Sequence, residues 1–430
     1  MLDLQRPGLH GHCFGSVSNG GLRMRGKASE SGPRNFRAWW PWCAAVLFLL
    51  WQVDFQFAYG FFAESIQQEL RLTAFETAAI SLAYLLSYGL MQLPAGLLLD
   101  RFGARRVLPI AAGFSALSVL LFAQAQGFWT LLGTRILAGA FMAFVFPATG
   151  KIARNRLPAH RFALAMAIAD MCFGIGAVSA VFIPAFFTDT PWRLLMQGQA
   201  FLGLGLGALL WVTLFFTKPD HTLPQAAASA TRSIADSLKR PFVRLGIGLY
   251  IWGAGLILGF GGYWNVKLQR ACGCSTAEIS TLELGLFSGL AAGMLVAGIL
   301  GARVERLRNI FRISTTLTLV LMTVTLGVST TASTDQLLVL MVALGLLIGT
   351  CSLSFAVACL GLPANHAATV VAIVNAGGCL SGALLQALPI WLGEGNATFS
   401  TISITYFGIA IFGAWIAWRM PRLTNPAESP

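Results

Sequence analysis

Between Trp39 and Arg419 the chain repeats one theme, an apolar run of about twenty residues followed by a short polar break. A helix of that length crosses the ~30 Å of hydrocarbon in a bilayer. The runs fall at 40–62, 75–99, 106–125, 128–149, 161–186, 194–217, 242–266, 277–301, 310–329, 335–359, 368–390 and 400–419. Each is too long for a strand, and in lipid its backbone N–H and C=O groups must bond within the segment. Composition agrees: 56% of residues are hydrophobic and 11% charged, against roughly 25% charged in an average soluble domain. The expectation is an all-α integral membrane protein with twelve transmembrane helices.

The chain has 29 Lys and Arg against 17 Asp and Glu, a net charge of +12. Such an excess would suggest nucleic acid, but its placement does not. With the N-terminus inside and the helices alternating, the inner side collects 24 basic residues, from Arg6 to Arg422. The outer side keeps Arg71, Arg193, Lys267 and Arg270, while Arg135 falls within a span. Acidic residues outside the spans divide evenly, as expected when Lys and Arg alone set orientation. The basicity reads as a topology signal, with both termini cytoplasmic and the lipid bilayer as partner. No nucleic acid is expected, and the setting is the inner membrane of a bacterium.

Residues 1–35 are rich in Gly, Ser and Arg and lack the apolar core of a signal peptide. They read as a disordered cytoplasmic tail. The longest polar stretch between spans, 218–241, has prolines towards both ends and separates six helices from six as a cytoplasmic linker. This leaves six-helix segments at 36–217 and 242–420 and a short tail at 421–430. Five of the eight cysteines (Cys43, Cys172, Cys351, Cys359 and Cys379) lie in or at the ends of spans, where a thiol behaves as a small hydrophobe. Cys272 and Cys274 share a loop, but a bridge across one residue would be badly strained. The five histidines are isolated, so no metal or other cofactor is expected.

The two halves echo each other. After the second span the chain reads Gly96-Leu-Leu-Leu-Asp100-Arg101-Phe-Gly103-Ala-Arg105-Arg106. After the eighth it reads Gly301-Ala-Arg-Val-Glu305-Arg306-Leu-Arg308, so glycine, acid and arginine recur 205 positions later. The first copy resembles the signature of the major facilitator superfamily at every position. Arg135-Ile-Leu-Ala-Gly139, with Pro147 near the span's end, is similar to that family's fourth-helix pattern. The resemblance covers residues 36–420. It implies two pseudo-symmetric six-helix bundles around a central cavity lined by helices 1, 4, 7 and 10.

In such a loop Gly96 lets two helices approach closely and Gly103 permits a sharp turn. The resemblance implies that Asp100, Arg101, Arg105 and Arg106, with Glu305 and Arg306 of the second copy, form an inner gate. The bland reading of the arginines is that they are topology anchors near anionic lipid. Asp100→Asn is expected to leave insertion intact and cut transport.

A charge at mid-bilayer costs at least ~2.5–3.5 kcal/mol, so each one needs a reason. Asp54, Arg135, Asp170 and Glu283 are the candidates. At ~1.5 Å per residue, Asp54 and Arg135 lie about 21 and 20 Å above the inner face and Asp170 about 13 Å. The first two are therefore expected to face each other, either as a proton-and-substrate site or as a structural bridge. Glu283 lies near the outer end and has snorkelling as its alternative. Tyr59, Trp252 and Asn375, with Asn265 and Gln386, are secondary substrate candidates, each also readable as a helix–helix contact.

The chain lacks a phosphate-cradling loop, since Gly150-Lys151 is followed by Ile152. No catalytic constellation is visible, and an enzyme is not expected. The leading expectation is a monomeric, proton-coupled carrier of a small organic solute, anionic because Arg135 is buried. The alternative is a drug/proton antiporter. Against it, Gly174-Ile-Gly176-Ala-Val-Ser-Ala departs from the Gly-Pro-x-x-Gly-Gly element typical of such exporters.

Overall fold

The computed structural model describes residues 34–157, 159–187, 189–216, 234–301, 303–360, 367–395 and 397–423. Most of the expected tails and of the expected linker lie outside these residues, while 421–423 of the expected C-terminal tail are described. Among the described residues are twelve helices long and apolar enough to cross a membrane, and no strand. The first half holds α1 Arg34–Glu69, α2 Ala74–Phe102, α3 Ala104–Gln124, α4 Phe128–Arg156, α5 Ala159–Phe186 and α6 Trp192–Phe215. The second holds α7 Pro241–Ala271, α8 Thr276–Leu300, α9 Val304–Val328, α10 Thr334–Ala358, α11 Ala367–Leu392 and α12 Phe399–Trp418.

Every expected span is present, and the differences lie at the ends. α1 and α7 run on to Glu69 and Ala271, and α9 begins at Val304. Hydropathy marks only the stretch at hydrocarbon depth, whereas helical hydrogen bonding continues into water wherever the ends are satisfied. At one end of the molecule they are satisfied by capping boxes. Thr73 with Glu76, Ser275 with Glu278, Ser333 with Gln336 and Thr398 with Thr401 open α2, α8, α10 and α12. Each pair satisfies two backbone N–H groups where the chain enters the apolar layer.

The helices pack as two copies of one pattern. α2 against α4, α3 against α6 and α3 against α4 recur as α8 against α10, α9 against α12 and α9 against α10. The seams between the copies obey the same relation: α5 packs on α8, and α11 packs on α2. Advancing each label by six, cyclically, exchanges the two seams, which is the signature of pseudo-two-fold symmetry. Close contact in the second half follows from small residues. A Cβ on Gly289 or Gly293 of α8 would strike the backbone of Val342 or Leu346 on α10. Large apolar side chains such as Ile110, Phe201, Ile299 and Ile404 point outward, 61, 64, 69 and 64% exposed, as lipid-facing residues must.

Candidate functional site

Arg135, two turns into α4, is 1% exposed. Its guanidinium lies 4.5, 4.8, 4.9 and 5.9 Å from the ring centres of Tyr84, Tyr59, Phe55 and Phe122. Nη1 donates to the Phe55 carbonyl oxygen at 3.5 Å. A desolvated cation over an aromatic face gains about 0.5–2 kcal/mol, so the cage offsets part of the burial cost and ties α4 to α1, α2 and α3. The expected pairing with Asp54 does not form. Successive residues turn by about 100° around a helix, so Phe55 meets the arginine while Asp54 points elsewhere.

Asp54 is tied into its own bundle. It accepts from Ser179 Oγ on α5 at 2.8 Å and from Gln199 Nε2 on α6. Trp51, on the same helix, donates to the Gln199 carbonyl oxygen at 2.9 Å. Both carboxylate oxygens thus have neutral donors, and the residue holds α1, α5 and α6 together. Glu283 does not snorkel, because it is 0% exposed. It accepts from Asn265 Nδ2 at 2.7 Å, Asn265 Oδ1 accepts from Gln269 Nε2 at 3.3 Å, and Gln269 Oε1 accepts from the Cys274 thiol at 3.7 Å. Partial burial, aided by Glu278 and Cys272, raises the pKa of the Cys274 thiol and keeps it a donor.

Asp170 differs from both. It is half-buried and makes no hydrogen bond or ion pair among the described residues. One turn further along α5, Gly174 packs against Ala291 of α8, so this face of the helix looks onto the other bundle. The carboxylate is close enough to act electrostatically on the Tyr250 hydroxyl of α7 and the Cys351 thiol of α10.

Around that point the two bundles share a polar cluster that sequence reading missed. Tyr84, Tyr88 and Gln92 lie a turn apart on one face of α2. Tyr84 and Tyr88 stack at 6.0 Å, Gln52 Nε2 donates to the Tyr84 hydroxyl at 3.4 Å, and that hydroxyl donates to Met142 Sδ at 3.3 Å. From the other bundle Tyr250 donates to Asn375 Oδ1 at 3.2 Å. The hydroxyls of Tyr84, Tyr88 and Tyr250 all lie within electrostatic reach of Cys379 on α11. Gln52 and Gln92 both reach towards the Tyr88 hydroxyl, but Gln52 Oε1 and both amide atoms of Gln92 make no hydrogen bond of good geometry, and a buried polar group left so costs about 1–3 kcal/mol. One signal was in the sequence: all six tyrosines fall inside spans rather than at the interfacial belts.

Of the other candidates, the cluster includes only Asn375. Tyr59 donates to the Thr77 carbonyl oxygen at 2.7 Å, a bond between helices. Trp252 is wholly buried with its ring against Gly413 of α12.

The ends of the bundles differ. At the end carrying the capping boxes, α1 meets α7: a Cβ on Gly60 would lie 2.5 Å from the Gly262 carbonyl oxygen, and Glu64 pairs with Arg270. Phe57 packs edge-on against Phe287 of α8 at 4.9 Å just beneath. α7 is π-helical from Gly255 to Trp264, where it meets α1. At the other end lies the signature loop. Gly103 adopts φ +80°, as its sharp turn requires, but Gly96 has nothing within 4 Å of a Cβ and is no close-contact point. Arg101 and Arg106 are exposed, and Arg105 stacks over Phe215 at 5.6 Å. Lys151 of α4 caps α2 through the Leu99 carbonyl oxygen at 2.7 Å. The Asp100 side chain lies outside the described residues. In the second copy the acid has moved past the turn, so Glu305 and Arg306 sit exposed in the first turn of α9.

The family model described as Major Facilitator Superfamily matches residues 43–386. The chain is 30% identical over 215 residues to the Uncharacterized transporter YybO of Bacillus subtilis (strain 168), covering 47% of this chain and 48% of that protein. It is 33% identical over 101 residues to the D-galactonate transporter of Escherichia coli O6:H1, covering 24% of each. The chain therefore spans about half, or less, of the length of these curated relatives. Among solved structures, the D-xylose-proton symporter superposes with a TM-score of 0.70 at 16% identity, covering 88% of this chain and 97% of that one, a likeness of fold. With its doubled six-helix pattern, its signature loop and a family match over most of its length, the chain belongs to the Major Facilitator Superfamily.

Proposed function

We propose that this protein carries a small organic anion across the membrane by alternating access, driven by protons. The observation that carries the reading is the buried polar cluster shared by α1, α2, α7 and α11, in which the Gln52 and Gln92 amides lack well-formed hydrogen bonds and Tyr88 lies within electrostatic reach of Tyr250 of the other bundle. Donors and acceptors for a hydroxylated solute lie there, a few residues from the acid-free positive charge of Arg135. Unscreened in a low-dielectric interior, that charge favours an anion. A polyhydroxy acid of the kind named in the D-galactonate relative has the matching chemistry. Asp170, unpartnered and facing the second bundle, takes the role of coupling carboxylate.

The arginine-rich end faces the cytoplasm in this reading, by the Lys/Arg asymmetry. The contact of α1 with α7 then closes the outer side of a bacterial inner-membrane protein. One chain encloses the whole site, so the working unit is a monomer. The test is thermal unfolding of purified protein with a solute panel, since binding raises stability by mass action. D-galactonate is expected to raise the midpoint and neutral D-galactose to leave it unchanged. A shift with lipophilic cationic drugs and none with sugar acids would overturn the reading in favour of a drug/proton antiporter.

A further inference from the structure

The ends of α9 and α12 on the arginine-rich side form a compact cationic group with no part in the transport reading. Beyond Trp418 the chain turns back onto α9, and Met420 and Leu423 bury themselves in a small apolar cluster with Leu307, Phe311 and Ala417. The residues between these anchors are presented outward, so Arg419 and Arg422 are exposed at fixed positions. Arg312 of α9 clamps the turn. Its Nε donates to the Ala417 carbonyl oxygen at 3.3 Å, and its Nη2 donates to those of Trp418 and Met420 at 2.8 and 3.4 Å. Arg308 is close enough to Arg312 and Arg422 for their charges to repel. Among the described residues none of Arg308, Arg419 and Arg422 is ion-paired with an acid, although Glu305 stands one turn away.

Like charges held together without a counter-charge call for an anion. The surroundings say which kind. Trp418 lies under Arg312 at 5.0 Å and donates through Nε1 to Thr316 Oγ1 at 3.0 Å, and Trp415 lies under Arg419 at 4.5 Å. Both indole rings are outward, 59 and 49% exposed, at the depth where a headgroup meets acyl chains. Directly below, Ile313 and Leu317 of α9 are 60 and 45% exposed, an apolar wall for a hydrocarbon chain. We propose that this corner is a headgroup site for one anionic phospholipid, its phosphate held by Arg308 and Arg422, with Arg419 over Trp415 at its margin, and its acyl chain laid along α9. Basic groups beside spanning helices attract the anionic lipid of a cytoplasmic leaflet, and arginine suits phosphate by its forked donors.

The test uses the full chain in neutral detergent, with native mass spectrometry and thermal unfolding. Phosphatidylglycerol is expected to remain bound and raise the unfolding midpoint, while phosphatidylcholine does neither. R422Q removes a side chain with no internal bond, so the fold persists; phosphatidylglycerol affinity should fall at least fivefold. R154Q, which changes an exposed basic residue on the other bundle, should bind as the wild type does. Equal stabilisation by both lipids, an unaltered affinity in R422Q, or full displacement of the lipid by millimolar inorganic phosphate would each overturn the proposal.

Discussion

Glu64 on α1 and Arg270 on α7 are joined in an ion pair that ties the two bundles together at the end remote from Gly103. Around it the cleft between the same helices holds Arg71 and Lys267, so this latch is one acid among three cations. The side chains are 38 and 39% exposed, and an exposed pair contributes only about 0.2–1 kcal/mol. It biases closure without enforcing it.

Arg270→Gln should therefore shift the ratio of closed to open forms by no more than about fivefold. The readout is maleimide labelling of a cysteine placed at Phe57, which is 2% exposed beneath the latch. Labelling should quicken in the variant. An unchanged rate would mean that the pair is a bystander.

Gly60→Val tests the backbone part of the same closure. Its side chain would run into the Gly262 carbonyl oxygen, which already stands 2.5 Å from a Cβ at Gly60. Overpacking of this kind costs about 1–3 kcal/mol, more than losing the ion pair. The variant should label at Phe57→Cys faster than the Arg270 variant does, and transport should fall. A Gly60→Val protein as tightly closed as the parent would refute the contact.

Asp54 and Asp170 should separate by phenotype. Asp54→Asn disturbs bonds from Ser179 and Gln199 and should lower stability by about 1–3 kcal/mol. Asp170→Asn breaks no described bond and should stay within about 0.5 kcal/mol of the parent. Yet it should lose proton-driven accumulation while still exchanging solute for solute. Unfolding curves and counterflow measured on the two variants decide this. An Asp170→Asn protein that still concentrates its solute would remove that residue from coupling.

Arg135→Lys keeps the charge but not the planar guanidinium that sits among four rings. Solute affinity should fall about tenfold, equivalent to about 1.4 kcal/mol. Arg135→Met should keep the fold, since a buried thioether packs well against aromatic rings, and lose selectivity for anions. Binding titrations with D-galactonate against D-galactose measure both effects. Selectivity surviving in the methionine variant would place anion recognition elsewhere.

How far the sequence reached depended on which coordinate was needed. Position along a helix was legible: all twelve spans and the turn at Gly103 followed from spacing. The direction in which a side chain points was not. Asp54 and Arg135 were placed at one depth, but a step of one residue sends Phe55 rather than Asp54 towards the arginine. The cluster of Tyr84, Tyr88, Tyr250 and Cys379 joins α2, α7 and α11, and no spacing within one helix predicts where three helices meet. Gly96 shows the converse, a residue type expected at a close contact that borders open space. Glu305 moved because a hydropathy boundary located the start of α9 six residues late.

The central claim is that a site shared by both bundles moves a polyhydroxy anion with protons. Radiolabelled D-galactonate supplied to proteoliposomes, acidic outside and alkaline inside, tests it most directly. The expected result is accumulation above the external concentration that a protonophore abolishes and that Asp170→Asn never reaches. Internal label that stops at simple equilibration while the pH gradient is intact would contradict it.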